Sequence, residues 1–476
     1  MRRLFLLLTL PGFVGCTLET AVWSPDGKTL AVATSKGIYL SDKERNAALA
    51  VEARPWSATP VVWLPDGHGV LVVHQVAVHW PEIKKLLGPD RAKQAKELAD
   101  LIVEKSPEIV DDRWKDFDLP GTYPMPIVAG AWAWLAETKP AKLKSAMKGE
   151  EFGNSAVWEK LKSYTPKINR LSLFRVDGLK ATLEKDLVDS LDVIMSVRVS
   201  PDGQWLSTVF GLSKQTGNEA IPGDNANELV TELYVAPISD LDQRTRIAES
   251  TSVWTSWSPD SGSLYFVQTL PGATDFATGS ICQWTREDGT PETNSTSSPR
   301  VVRLVDATVG LFSKIHAMND GSVLFVSPER VLPSSSKTPP QSVGLYQFHP
   351  SMPSRITKLA IEPSDDVEQA LLVGAFGVSR DNLTIALSTS KGGTGRLDIR
   401  NGVIQWIERQ APEPKDVWGL SLPAPMAPAW SSDDEFLFLA PPNSTLTKSG
   451  KPQVVLVGPN RQINFSQSWD WFELLH

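Results

Sequence analysis

Cysteine is nearly absent from the 476 residues: only Cys16 and Cys282 occur. If Cys16 is used elsewhere, Cys282 has no partner, and a disulfide framework is excluded. No Gly-x-Ser-x-Gly elbow is present, which removes the α/β-hydrolase type of serine nucleophile. Nor is there a His-Glu-x-x-His or a paired-cysteine motif, so no metal-ligand spacing is visible. The six histidines, His68, His74, His79, His316, His349 and His476, therefore read as structural or solvent-exposed. Basic residues are outnumbered by acidic ones, 47 to 55, without a long basic run, which argues against a nucleic-acid partner. No catalytic residue, cofactor or metal is expected from these patterns.

What is abundant is one turn, written seven times. It reads Trp23-Ser24-Pro25-Asp26-Gly27, Trp63-Leu64-Pro65-Asp66-Gly67, Val199-Ser200-Pro201-Asp202-Gly203 and Trp257-Ser258-Pro259-Asp260-Ser261. Weaker copies follow as Met318-Asn319-Asp320-Gly321, Val378-Ser379-Arg380-Asp381-Asn382 and Trp430-Ser431-Ser432-Asp433-Asp434. Pro fixes φ at the first corner, Asp bonds back to nearby amides, and Gly accepts the positive φ that follows. One or two carboxylates per turn are too few for calcium, which takes six to eight oxygens. A large apolar residue precedes each turn and an apolar strand such as Thr29–Ala33 or Ser263–Val267 follows. The steps between anchors are 40, 136, 58, 61, 60 and 52 residues. A four-stranded propeller blade needs about 40 to 50 residues, so the long step holds one blade plus an insertion of about 90. The expectation is an all-β, seven-bladed β-propeller with an inserted α-helical lobe in or after blade 2.

Trp23 to Lys28 resembles, residue for residue, the core of the TolB-type, WD-like propeller repeat. The copies at Trp63, Val199 and Trp257 depart from it at one or two positions. The resemblance covers roughly 18–80 and 170–470 and implies a fold rather than a task, since propellers carry unrelated functions.

The first residues have a different character: Arg2-Arg3, the apolar run Leu4–Leu10, then Phe13-Val14-Gly15-Cys16. A basic start, a short apolar core and small residues mark a secretory segment, too short to span a bilayer, which takes about 20 residues. Ending at a cysteine, it resembles a bacterial lipoprotein signal, with residues 1–15 removed and Cys16 carrying the lipid. Phe13 departs from that pattern, and an ordinary signal peptide with a chance cysteine is the alternative.

From Pro81 the apolar period lengthens. Ile83, Leu86, Leu87, Ala95, Leu98, Leu101 and Ile102 predict a helix over about 82–105, broken near Gly88-Pro89. Ile127–Leu135 is a second apolar stretch, and 155–164 a third helical one. Residues 81–165 thus form the lobe, flanked by propeller at 16–80 and 166–476. Of the 17 tryptophans, four are blade anchors. Trp132, Trp134, Trp158, Trp254, Trp469 and Trp471 are not. They pack the lobe and close the ring, or they serve an exposed contact for sugar or protein. Trp132, Trp134 and Trp158 are the candidate partner contacts.

The functional expectation is a non-enzymatic cell-envelope lipoprotein whose propeller is a scaffold for another envelope protein. The rival is a carbohydrate-binding protein or hydrolase using the central channel. Acidic and aromatic side chains clustered on one face at the channel mouth would favour the rival, and a smooth, poorly charged mouth with an apolar helical lobe would favour the scaffold.

Overall fold

The computed structural model describes residues 19–105, 125–141, 167–215, 227–269, 277–286, 301–328, 343–409 and 427–464, apart from 35, 45, 362–364, 373, 390–392, 441–443, 447–452 and 460–461. Cys16 and Trp158 lie outside the described residues, as do Trp469 and Trp471.

Seven antiparallel sheets follow one another along the chain: six of four strands and one, blade 2, of five. The first strands of the blades are Ala21–Trp23, Val61–Trp63, Val193–Val199, Thr251–Trp257, Ile315–Ala317, Phe376–Val378 and Ala429–Trp430. The architecture is the expected seven-bladed β-propeller.

The turns do what their residues dictate. Ser24 Oγ donates to Asp26 Oδ1 at 2.6 Å, that oxygen accepts the Lys28 amide at 3.1 Å, and Ser24 Oγ accepts the Thr29 amide at 3.0 Å. Ser200 with Asp202, Ser258 with Asp260 and Ser379 with Asp381 repeat this, at 2.5, 2.5 and 2.6 Å. The fifth position takes positive φ: 69° at Gly27, 72° at Gly203, and, without glycine, 62° at Ser261 and 61° at Asn382. Pro is therefore dispensable while the Ser–Asp pair remains, as Arg380 in the Pro position illustrates. In blade 5 the register corrects the sequence alignment by one residue. Gly321 N donates to Met318 O, as Gly27 N does to Ser24 O, so Met318 fills the Ser position and Ala317 is the anchor.

Packing between blades supplies the core. The anchor indoles of Trp63 and Trp430 donate Nε1–H to the carbonyls of Val22 and Gly377, at 3.0 and 2.8 Å, each on the first strand of the preceding blade. Blade 7 is made wholly of C-terminal strands and blade 1 of N-terminal ones, so packing and ion pairs close the ring. Trp23, Leu30 and Val32 pack on Leu437, Val454 and Leu456, and Lys43 meets Glu435 at 3.0 Å. Arg380 of blade 6 donates to Ser24 O at 2.8 Å and Pro25 O at 2.5 Å.

The lobe interrupts blade 2. Helix α1 (Trp80–Lys105) bends at Gly88 (φ 72°, ψ 175°), where the sequence placed the break, and α2 is Met125–Thr138. Both insert between strands Gly69–Ala77 and Lys167–Asp177, which pair out to Ala77 opposite Lys167. The lobe core of Ile83, Leu87, Ala95, Leu98, Ile127, Ala131 and Leu135 rests on Val76, Val78, Ile168 and Leu191. The chain thus leaves and re-enters the ring at one point, and the described residues of the insertion supply no strand to it.

Candidate functional site

A column of seven residues, each one place before its anchor, has one property in common. Val22, Val62, Arg198, Ser256, His316, Gly377 and Ala429 are all half-buried, on strands whose other residues are mostly buried. A first strand is covered on both faces by neighbouring blades and on its outer edge by the second strand, so this exposure is toward the ring axis. Two residues earlier, nearer the strand starts, the layer is more covered: Pro60, Ser196, Trp254, Lys314, Ala375 and Ala427 are buried and Thr20 is half-buried. The ring axis is therefore more open on the turn side and more covered toward the strand starts, which form its floor.

The floor is ionic. Glu19, just ahead of blade 1, pairs with Arg198 of blade 3 at 2.7 Å and with Lys314 of blade 5 at 3.1 Å. One carboxylate reaches two non-adjacent blades because it sits at the axis. Burial pushes its pKa up, but Arg198 and Lys314 outweigh this and hold it down at about 2. Lys314 Nζ also donates to Phe376 O at 2.7 Å and lies 4.9 Å from the Trp254 ring centre, on which Arg198 closes to 5.4 Å. Two cations against one carboxylate leave the centre positive. Trp254 Nε1–H is buried without a partner among the described residues.

Above the floor, three successive blades carry polar side chains at the half-buried column position. Asn382 Oδ1 accepts the Asn319 amide at 2.5 Å, which directs Nδ2 to Ser379 O at 3.0 Å and to His316 Nε2 at 3.3 Å. His316 Nε2 is then an acceptor, and its proton sits on Nδ1. Ser256 Oγ accepts the Ala317 amide at 2.9 Å, leaving its own proton for another acceptor. Arg198 spends Nη1 on Glu19 and keeps Nε and Nη2. Val22, Val62, Gly377 and Ala429 face this arc from the other four blades. The site can hold an acceptor. Its groups suit proton transfer at neutral pH poorly, since Glu19 titrates near 2 and His316, pushed down chiefly by burial and then by Lys314 and Arg198, near 4.

That imidazole makes a test. Its folded value, about 4, lies below the ordinary 6.5, so the unfolded chain takes up a proton first and stability falls as pH drops from 6.5 toward 4. The loss approaches roughly 2 to 3 kcal/mol. Asp192, raised to about 6 by burial, works in the opposite direction over much of the same window and masks the effect in a single curve. The difference between native protein and His316→Gln isolates it. Denaturant unfolding at several pH values should show the native protein losing ground to the variant below pH 6.5, and a flat difference would refute a buried neutral His316.

Another polar group resembles a catalytic set but is not one. His74 Nε2 lies 2.9 Å from Ser172 Oγ, which donates to Asp186 Oδ1 at 2.7 Å. With the hydroxyl proton committed to Asp186, His74 must donate to the serine and cannot deprotonate it. His79 lies beyond the strand that carries His74, which ends at Ala77.

In the lobe, Trp132 is buried, while Trp134 is half-buried and meets Trp80 edge-on at 5.2 Å, with Lys96 Nζ 4.4 Å from its ring centre. These two expected partner contacts thus lie largely within the lobe's own packing. Sequence reasoning missed Glu19, Arg198, Ser256 and Lys314 and gave His316 only a structural or solvent-exposed role. The residue before each anchor, read down the repeats, was the available signal: Arg, Ser and His occupy it in three consecutive blades.

No family model matches the chain, and no curated protein matches it. Among solved structures it is similar to an oligogalacturonate lyase from Vibrio parahaemolyticus, at 11% identity and TM-score 0.49 over 93% of this chain and 89% of that one. It is also similar to the Kuenenia stuttgartiensis hydrazine synthase, at 11% identity and TM-score 0.44 over 94% of this chain and 96% of that one. The Pyrococcus horikoshii acylaminoacyl peptidase matches at 10% identity and TM-score 0.43 over 92% of this chain and 50% of that one. Likenesses at this level concern the propeller fold and leave the chemistry of each protein its own.

Proposed function

We propose that this chain is a tethered, non-catalytic binding protein of the cell envelope, a TolB-type propeller that recognises its ligand in the central channel. The observation that carries the reading is the one-sided lumen, with donors on blades 3, 4 and 5 and small or apolar residues on the remaining four. The Trp-Ser-Pro-Asp-Gly turns favour the TolB type, and the order of residues ahead of Cys16 favours lipid attachment there. A lipid on Cys16, three residues from Glu19, would hold the floored end of the channel toward the membrane and leave the turn side facing away. No described helix is long and apolar enough to cross a membrane, so Cys16 is the proposed attachment. A protein-scaffold role centred on the lobe has less support, because Trp132 is buried and the apolar helix faces are spent on Val76, Val78, Ile168 and Leu191.

Excision of the lobe separates the two readings. Residues 77 and 167 are already paired, so a short Gly-Ser linker in place of 81–165 closes an existing hairpin, and loop-closure entropy changes slowly with length. The excised protein is expected to remain folded and to keep any thermal-shift hit from a panel of envelope amino sugars, short peptides and organic acids. Arg198→Ala should lose that hit. A hit that vanishes with the lobe and ignores Arg198 would refute the channel reading.

A further inference from the structure

The channel chemistry is selective, and we propose that Arg198, Ser256 and His316 together bind the carboxylate of a small organic acid. This rests on the channel reading above and narrows it to a ligand class. Each of the three residues already makes one bond within the protein: Nη1 of Arg198 to Glu19, one lone pair of Ser256 Oγ to the Ala317 amide, His316 Nε2 to Asn382. What remains unspent is mostly donors, namely Nε and Nη2, one hydroxyl proton and Nδ1–H, against a single lone pair on Ser256 Oγ. This excess of donors beside a net positive charge favours a group that accepts several hydrogen bonds, and a carboxylate meets that with two oxygens and about four lone-pair directions.

Charge sets the valence. Glu19 neutralises one of the two cations, Arg198 and Lys314, so one positive charge is left for a monoanionic group, whereas a phosphate dianion would overcharge the floor. Trp254 supplies an independent sign that the centre lacks acceptors: its indole N–H is buried, 1% exposed, with no partner among the described residues, and both cations flank its ring. Glu19 is thus the resident carboxylate of a site built for more than one. Because it draws on the same guanidinium as the ligand, it also holds the affinity down.

The full chain is titrated with acetate and succinate at constant ionic strength, with acetamide and succinamide as neutral controls and sulfate and phosphate as rival oxyanions. Calorimetry and the ring ¹⁵N resonances of His316 report binding. Carboxylates should move His316, and their amides should not. Arg198→Ala should weaken carboxylate binding by at least about tenfold, roughly the loss of one charge-assisted hydrogen bond. Arg198→Lys, which keeps the charge but not the fork, should weaken it by about threefold to tenfold, and it serves where the alanine variant does not fold. Glu19→Gln, examined where it is folded, should tighten it several-fold. Equal responses to acid and amide would overturn the carboxylate proposal and leave the channel reading standing, as would stronger binding of sulfate or phosphate. Indifference of His316 to every probe, together with no effect of either Arg198 variant, would overturn both.

Discussion

Glu19→Gln is expected to lower the unfolding free energy at pH 7 by about 3 to 5 kcal/mol, the usual result of removing one partner from a buried ion pair. The carboxylate is the counter-charge for both Arg198 and Lys314, and Lys314 is itself buried. Without Glu19, a guanidinium and an ammonium face each other at the axis with Phe376 O as the remaining oxygen partner of Lys314. The same substitution should also change the acid limb. Glu19 has a folded pKa near 2 against an ordinary 4.5, so its stabilisation is whole above pH 4.5 and is lost as pH falls through about 2. Denaturant unfolding from pH 2 to 7 should show this limb in the native protein and not in the variant. A loss below about 1 kcal/mol at pH 7 would mean a hydrated, exposed-type pair and would remove the floor from the channel.

Trp257→Ala should cost about 3 to 5 kcal/mol and Asp260→Ala about 1, although the two residues lie three apart in one turn motif. Trp257 is buried against Trp284, centroids 6.0 Å apart at 85°, and Trp284 meets Trp205 at 5.9 Å. Its Nε1–H reaches Arg198 O at 3.4 Å, so the anchor of blade 4 also positions the backbone of the lumen arginine in blade 3. Asp260, by contrast, is held to Ser258 Oγ and the Gly262 amide at the solvent side of the turn. Comparable denaturation midpoints for the two variants would show that Trp257 is no core anchor. A weakened response to acetate in Trp257→Ala at a temperature where it stays folded is the expected secondary effect.

The two variants also mark the limit of what is local. The Ser-Pro-Asp-Gly turns were legible because every group that defines them lies within six residues: the serine hydroxyl, the aspartate oxygen and the amide that each of them caps. Spacing alone gave seven blades, since each blade closes its own sheet, of four strands in all but blade 2, from strands that follow one another along the chain. The helical period located the lobe, and Gly88-Pro89 located its bend. Met318 was misplaced by one residue because, with Pro and Trp both missing, the sequence offers no landmark, whereas the backbone bond from Gly321 to Met318 does.

By itself, then, the sequence determined the repeat, the ring and the point at which the lobe leaves it, all consequences of short-range bonding and periodic burial. The tertiary structure decided where the charges meet. Glu19, Arg198, Lys314 and His316 belong to three different blades, and each alone resembles any polar residue on a strand. Only closure of the ring, which brings the first strands of all seven blades around one axis, places them within reach of one another and only partly exposed.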